Sequence, residues 1–149
     1  MWQENLPHCI SRGRVGWNLV TSGTVSDAYN FSRDEHYAHD VRYDRAHEFA
    51  KVVTGLWNSW DDDAFIRDKD TGIFLDPTKM HPLNHKGEWF AVRGPLNVPR
   101  APQSWPVIVQ AGGSDDMIEV AAEFAEVIFC APLNLDQAQK FYKKIKDRL

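Results

Sequence analysis

The end of the sequence alternates between short apolar runs and amphipathic runs, and this order constrains the fold more than any other feature. The apolar runs are PVIVQAG at 106–112 and EVIFC at 126–130. Apolar residues at helical spacing follow each run, over 114–125 and again from Leu135 to the C-terminus. Strands that alternate with helices form parallel sheets, because a parallel pair needs a long crossover connection. The pattern therefore predicts an α/β fold in which both runs are buried strands.

An earlier strand and helix begin the same alternation. The segment RVGWNLVTS at 14–22 alternates larger apolar residues with smaller or polar ones, which predicts a strand. A polar loop is expected over 24–37. Apolar residues then recur every three or four positions, which predicts a helix with Asp40 as its N-cap and the acidic run 61–63 marking its end. The stripe of this helix is formed by Ala46, Phe49, Val53, Leu56 and Trp60.

The segment 61–105 breaks the alternation. Two turn motifs, DKDTG at 68–72 and NHKGE at 84–88, precede short apolar runs, and several prolines follow. We expect a hairpin and a long loop inserted after the first βα unit. The whole order contains three βα units, whereas a (β/α)₈ barrel needs roughly 250 residues. Residues 1–149 are therefore expected to form one domain, either an open three-stranded sandwich or part of a barrel.

Composition and termini argue against several classes of function. A formal net charge of −4 provides no electrostatic attraction to nucleic acid or to an anionic membrane. No stretch reaches the roughly 20 apolar residues that cross a bilayer, and the first residues lack the pattern of a secretory signal. Cys9 and Cys130 belong to no CxxC pair. Two free thiols are typical of a reducing cytoplasm, which is the expected location.

Two patterns with the look of metal sites have simpler explanations. His81 and His85 have ligand-like spacing, but Pro82 disfavours a continuous helix and no third ligand is evident. The acidic turn 68–72 lacks the later glutamate of a calcium loop, and a hairpin turn explains it. The sequence also contains no GxSxG, P-loop or GxGxxG motif. We therefore expect no metal site.

Three long blocks of the sequence together resemble one family. They are SRGRVGWNLVTS, HDVRYDRAHEFAKVVTGLWNSWDDDA and RGPLNVPRAPQSWPVIVQAGGS. From about Ser11 to the C-terminus the chain resembles the two-component FMN-dependent monooxygenases of the bacterial-luciferase-like superfamily, the group related to nitrilotriacetate monooxygenase component A and dibenzothiophene-sulfone monooxygenase. The resemblance implies a luciferase-like TIM barrel. It also implies reduced FMN from a separate NAD(P)H:FMN reductase, and oxidation of a small organic substrate by O₂ through a peroxyflavin, with cleavage of C–N or C–S bonds in some members.

The sequence also departs from that family. Its members have several hundred residues, with barrel strands before and after the region matched here. Residues 1–10 form an atypical leader, and Met117 stands where the family commonly has glycine. We therefore expect a middle fragment of the enzyme, a partial barrel whose exposed edges favour self-association of the isolated chain. Two alternatives remain: a truncated, non-enzymatic remnant that binds no flavin, and a relative that uses deazaflavin F420.

Ser114 is the candidate for the flavin phosphate. It follows a predicted strand and opens a helix, and Gly112 and Gly113 leave backbone N–H groups open to an anion. The alternative is that Ser114 is only the N-cap of that helix. Asp115 and Asp116 suit the helix dipole but add negative charge close to the proposed phosphate.

His39 and Tyr43 lie four residues apart at a helix start, so their side chains share a face. The resemblance implies that both contact FMN, with His39 also expected to influence the reaction. The alternative is a surface or capping role. Asn18, Thr21 and Ser22 close the first strand, where the resemblance implies contact with the flavin edge; ordinary strand-end polarity is the alternative. Gly113 joins Ser114 in the predicted flavin-binding set. A further group is expected mainly to fix the shape of its loop, with contact to the substrate as the alternative: Arg93, Asn97 and Arg100.

Overall fold

The structure is a computed structural model that describes residues 11–149, so the predicted leader 1–10, with Cys9, lies outside the described residues. The chain divides into two compact units. Unit 1 comprises Met1–Trp17, described from Ser11, and Glu48–Pro106. Unit 2 comprises Asn18–His47 and Val107–Leu149. The interpretation of residues 1–149 as one partial barrel domain, with an insertion over 61–105, stays a prediction.

The described residues form five strands and four α-helices. In chain order the elements are β1 (Gly16–Asn18), α1 (Val25–Tyr29), α2 (His39–Trp57), a 3₁₀ turn (Pro77–Lys79), β2 (His85–Lys86), β3 (Ala91–Val92), β4 (Val107–Ala111), α3 (Asp115–Phe124), β5 (Val127–Phe129) and α4 (Leu135–Lys146). The strands form a three-stranded sheet of order β1-β4-β5 and a two-stranded sheet of β2 and β3. No helix in residues 11–149 is both long enough and apolar enough to cross a bilayer.

The parallel pairing of β4 with β5 confirms the α/β class. Val109 lies opposite Val127, and Ala111 lies opposite Phe129. α3 provides the crossover between these strands, as the alternation predicts. The backbone continues the ladder on the other side of β4, where Leu19 N–H donates to the carbonyl of Val109 at 2.8 Å.

The core of unit 2 lies under α3. Met117, Ile118 and Ala121 are buried there and are spaced so that they share one helix face. Half-buried apolar residues pack against them: Tyr43, Ala125, Ile128, Phe141 and Ile145. The helix boundaries agree with the prediction over 114–125 because Ser114 caps the first turn and Ala125 ends the last.

Both predicted buried strands are less covered than expected. In β4 only Ile108 and Gln110 are buried, and the other three residues are half-buried. In β5, Val127 and Phe129 are 48% and 63% exposed. The expectation that these strands are buried is wrong for β5 and only half right for β4. An apolar run indicates that a strand favours burial. It does not indicate which faces of that strand other elements of the fold will cover.

α2 passes from unit 2 into unit 1, where its apolar stripe forms the core. Ala50, Val53 and Leu56 are buried, and the hydroxyl of Thr54 donates to the carbonyl of Ala50 at 2.9 Å. The helix begins at His39, so Asp40 lies in its first turn and is not the N-cap. It ends at Trp57, well before the acidic run, because the next two N–H groups donate three residues back and tighten the chain.

Two shorter elements differ from expectation. The predicted polar loop 24–37 contains α1, a five-residue helix that buries only Ala28. The strand predicted over 14–22 is reduced to three residues in β1. A hairpin is present in the segment 61–105: β2 pairs antiparallel with β3, with His85 opposite Val92. Its first strand, His85–Lys86, lies inside the motif 84–88 that the sequence predicts to be a turn. We call residues 85–92 the hairpin.

Candidate functional site

Three segments of unit 2 carry the predicted site residues. They are the end of β1 with the stretch after it, the first turns of α2, and the turn between β4 and α3. Two contacts bring them together. His39 Nδ1 lies 2.9 Å from Asp116 Oδ2, which joins α2 to α3. The Arg42 guanidinium donates to the carbonyl of Ser22, which joins α2 to the stretch after β1. The structure therefore gathers the predicted residues on one side of unit 2.

The turn between β4 and α3 is a helix N-terminus with free backbone N–H groups. Gly112 has φ of +137°, a conformation that favours glycine. Ser114 is extended at the N-cap, and its Oγ accepts from Met117 N–H at 3.3 Å. No described residue accepts a hydrogen bond from the N–H groups of Asp115 and Asp116. Free N–H groups at this position and the helix dipole attract anions.

This geometry is compatible with both roles considered for Ser114. The N-cap role is present, since the hydroxyl oxygen accepts from the backbone. A hydroxyl that accepts one hydrogen bond still has its own proton to donate. A phosphate contact from Ser114, with Gly113 beside it, stays a prediction.

Each of the two carboxylates after Ser114 has a basic partner. Asp115 is paired with Lys144 of α4, and this ammonium group lowers the pKa of the Asp115 carboxyl. Asp116 is paired with the imidazole of His39. Part of the negative charge that these residues bring to the turn is therefore offset within unit 2.

The rings of His39 and Tyr43 lie side by side, as their four-residue spacing predicts. Their centroids are 4.9 Å apart and the planes are tilted by 45°. Tyr43 is half-buried against the core below α3, whereas the side chain of His39 is 51% exposed. Tyr43 therefore has a fixed position, and His39 has a partly accessible ring beside it.

The polar residues at the end of β1 and just after it differ in exposure and in the hydrogen bonds that they already form. Asn18 is exposed and Thr21 is half-buried. The hydroxyl of Ser22 donates to the Asp27 carboxylate and accepts weakly from Thr24 N–H at 3.4 Å. Ser22 is therefore held mainly by its own loop. Flavin contacts from Asn18, Thr21 and Ser22 stay predictions.

Arg42 is a site residue that sequence reasoning missed. It lies three residues after His39, on the same helix face. Its guanidinium fixes the carbonyl of Ser22, and no carboxylate among the described residues forms an ion pair with it. The helical spacing from His39 is the signal that could have identified Arg42.

In unit 1, the loop that contains Arg100 has the structural role predicted for it. Arg100 Nε lies 3.0 Å from Asp62 Oδ1, and its Nη1 donates to the carbonyl of Trp60 at 3.3 Å. Trp60 Nε1 donates in turn to the carbonyl of Leu96 at 2.7 Å. These contacts hold the loop in a defined shape. Arg93 and Asn97 are exposed, and Arg93 takes part through its carbonyl, which accepts from Asn84 N–H at 2.9 Å.

The histidines with ligand-like spacing each have a carboxylate partner instead. His81 pairs with Asp61 at 3.0 Å and His85 pairs with Glu48 at 2.9 Å. Within residues 11–149, no group of three or more His, Cys, Asp or Glu side chains could hold a metal ion.

Residues 8–149 match the family model described as luciferase-like monooxygenase. The chain is 58% identical over 139 residues to N-acetyl-S-(2-succino)cysteine monooxygenase of Bacillus subtilis (strain 168), covering 93% of this chain and 32% of that protein. It is 51% identical over 137 residues to dibenzothiophene-sulfone monooxygenase of Rhodococcus erythropolis, covering 92% of this chain and 30% of that protein. The chain thus spans about a third of the length of these relatives.

Solved structures give the same result. A long-chain alkane monooxygenase superposes with a TM-score of 0.91 and 39% identity, covering 98% of this chain and 34% of that one. A riboflavin lyase, solved with modified FMN and riboflavin, superposes with a TM-score of 0.91 and 34% identity, covering 99% of this chain and 33% of that one. The chain therefore belongs to the luciferase-like monooxygenase family.

Proposed function

We propose that this chain is a segment of a flavin-dependent monooxygenase, a partial luciferase-like TIM barrel. The enzyme would use reduced FMN and O₂ to oxidise a small organic substrate, with cleavage of a C–N or C–S bond as the finer expectation. One observation carries the proposal: the turn from Gly112 to Asp116 presents free N–H groups and the Ser114 hydroxyl in a chain of this family. His39 and Tyr43 lie beside that turn.

The residues present fit a flavin phosphate. Gly113 is exposed, and a Cβ there would meet only Phe141 Cε2, at 3.7 Å, so the backbone is open to a ligand. A phosphate placed at the turn would accept from the N–H groups of Asp115 and Asp116 and from the hydroxyl of Ser114. The partners of the two carboxylates, Lys144 and His39, reduce their repulsion of the phosphate.

The chemistry divides between cofactor and protein. Reduced FMN supplies the oxygen chemistry when it is bound. The protein's part is to bind, to orient and to exclude water. Ser114 and its turn would hold the phosphate. Tyr43, fixed by the core, and His39 beside it would contact the flavin and limit its movement.

The remaining residues of the proposed site would lie along the flavin edge. Asn18 and Thr21 would donate or accept hydrogen bonds there, with Ser22 joining through its hydroxyl oxygen. Arg42 would keep the segment in place through its bond to the carbonyl of Ser22.

Reduced FMN would come from a separate NAD(P)H:FMN reductase, as the component A designation of another relative, the nitrilotriacetate monooxygenase of Aminobacter aminovorans, suggests for that protein. A cytoplasmic location is supported by Cys130, which is a free thiol. Association of copies of this chain is supported by the exposed apolar residues of β5 and α4.

A flavin-binding titration tests the proposal. The purified chain is titrated with FMN and with riboflavin, following the quenching of flavin fluorescence. Saturable binding that is stronger for FMN supports the proposed site, because only FMN carries the phosphate. No saturable binding of either ligand, in a chain that circular dichroism shows to be folded, contradicts a flavin site in this chain and favours the non-enzymatic remnant.

A further inference from the structure

The imidazole of His39 is held from two directions. Its Nδ1 lies 2.9 Å from Asp116 Oδ2, and its ring lies beside that of Tyr43. His39 is the first residue of α2 and Asp116 is the second residue of α3, so the pair joins the first turns of two helices. Because Tyr43 is fixed by the core, the ring of His39 has a defined place although half of its side chain is exposed.

The chemistry of the pair determines which ring nitrogen carries the proton. Asp116 Oδ2 lies 2.9 Å from Nδ1 of His39, and an ionised carboxylate can only accept, so the form of the ring with its proton on Nδ1 is favoured at this contact. No described residue forms a hydrogen bond with Nε2 of His39. Nε2 is then the nitrogen left for a ligand, as an acceptor in the neutral ring and as a donor in the charged ring.

We propose that Asp116 is a positioning residue, which selects the Nδ1-protonated form of His39 and so makes Nε2 the atom that meets the ligand of the site. The identity of that ligand as flavin rests on the proposed function. The contact between His39 and Asp116 does not, since both residues belong to unit 2.

A simpler role for Asp116 is to interact with the dipole of α3, as acidic residues in a first helical turn do. Asp115 separates the two roles. It has the same charge, lies in the same turn and is paired with Lys144, not with His39. Replacing Asp115 by Asn removes an equal charge from the helix terminus and leaves the partner of His39 in place. Asp115→Asn is therefore the matched control for Asp116→Asn.

The experiment records long-range ¹H–¹⁵N spectra of the histidine rings in the ¹⁵N-labelled chain. The signals of His39 are assigned with His39→Gln, at a pH where they show the neutral ring. We expect His39 to be mainly Nδ1-protonated in the wild type and in Asp115→Asn. In Asp116→Asn the ratio of the Nδ1-protonated to the Nε2-protonated form should fall about threefold or more, the reduction expected when a partly exposed ion pair is lost.

Two results would overturn the proposal. One is a His39 ring that is mainly Nε2-protonated in the wild type, and this spectrum decides the matter even if Asp116→Asn fails to fold. The other is an equal change in the ratio in Asp115→Asn and Asp116→Asn. Asp116→Glu, which keeps a carboxylate, should restore part of the wild-type ratio.

FMN titrations of the same proteins keep this proposal apart from the proposed function. If the wild-type chain binds no FMN while its His39 is Nδ1-protonated, the flavin site is contradicted and the role of Asp116 stands. If the wild-type chain binds FMN while its His39 is Nε2-protonated, the role of Asp116 is overturned and the flavin site stands.

Discussion

Glu48 Oε1 accepts a hydrogen bond from His85 Nε2 at 2.9 Å, and this contact joins the middle of α2 to the hairpin. The same carboxylate accepts from the backbone N–H groups of Trp89 and Phe90 at 2.9 and 2.8 Å. The Glu48 side chain thus accepts hydrogen bonds from the first strand of the hairpin and from the turn that precedes its second strand, all within unit 1. The residues it connects are about 40 positions apart in sequence.

The Glu48 carboxylate should make the stability of unit 1 depend on acid pH. Burial raises the pKa of Glu48, but the hydrogen bonds from His85, Trp89 and Phe90 lower it more, so the pKa in the folded chain lies below the ordinary 4.5. The stabilisation is therefore complete above pH 4.5 and is lost as the pH falls through the lower folded pKa. Glu48→Gln should lower the melting temperature at pH 7 by roughly 3 °C or more, and should flatten the acid dependence.

The exposed Glu88→Gln, in the turn of the same hairpin, is the control. It should leave both the melting temperature and its acid dependence nearly unchanged. If Glu48→Gln and Glu88→Gln give the same melting curves from pH 7 to pH 3, the role given to the Glu48 carboxylate is wrong.

The hairpin needs glycine at position 87. A Cβ at Gly87 would lie 2.1 Å from Oε1 of the Glu48 carboxylate. Three hydrogen bonds hold this carboxylate in place, two on Oε1 and one on Oε2. Gly87→Ala should therefore destabilise the chain by about 1–3 kcal/mol, as overpacking does. Gly23→Ala, where a Cβ would meet nothing within 4 Å, is the control. Urea unfolding of both variants measures the difference, and an equal effect would contradict the close approach.

Met117 is a core residue of unit 2. It is completely buried and packs with Ile118 and Ala121. Met117→Ala should cost about 2–5 kcal/mol, and Met117→Gly about 1 kcal/mol more, because glycine weakens a helix interior. Met80→Ala, at an exposed position, should cost little. A stable Met117→Gly variant in denaturant unfolding would show that the region is packed differently.

The regular part of the fold could be predicted from sequence, because the signals for it are local. The run 107–111, the cap Ser114 and the apolar spacing of α3 lie within a few residues of one another. α1 was missed because a five-residue helix with one buried residue has no periodicity to detect. Contacts formed across long sequence distances, such as Glu48 with the hairpin, leave no pattern in the sequence.

In the candidate site, too, local features could be predicted from the sequence and contacts between distant residues could not. The spacing of His39 and Tyr43 predicts their shared face, and the family resemblance adds their proposed role. The partner of His39 could not be predicted, since Asp115 and Asp116 are neighbours with the same charge. Only the turn of α3 decides that Asp116 reaches His39 while Asp115 reaches Lys144.

Exposed apolar residues of unit 2 should make the isolated chain associate. Phe129 of β5 is 63% exposed and Leu133, just after it, is 90% exposed. Apolar side chains next to an edge strand favour contacts between molecules. Sedimentation should show association that increases with concentration and is weakened by Phe129→Lys and Leu133→Lys together. Phe74→Lys, at a position in unit 1 that is 60% exposed, is the control. A monodisperse monomer at all concentrations would contradict this account.

The turn at Ser114 is proposed to hold the phosphate of FMN. Ser114→Ala removes a charge-assisted hydrogen bond worth roughly 1.5–3 kcal/mol as well as an N-cap worth about 1 kcal/mol of stability. Asn134→Ala is the matched control, because Asn134 caps α4 through Gln137 N–H in the same way but has no place in the proposed site. Both variants should lose similar stability in thermal melts.

Titration of FMN and riboflavin against wild type, Ser114→Ala and Asn134→Ala is the most direct measurement. Ser114→Ala should weaken FMN binding by about tenfold or more, since about 1.4 kcal/mol corresponds to one decade of affinity. Riboflavin binding should change little, because riboflavin has no phosphate, and Asn134→Ala should change neither ligand. Equal losses of FMN and riboflavin affinity in Ser114→Ala would contradict the account and leave Ser114 as a helix cap only.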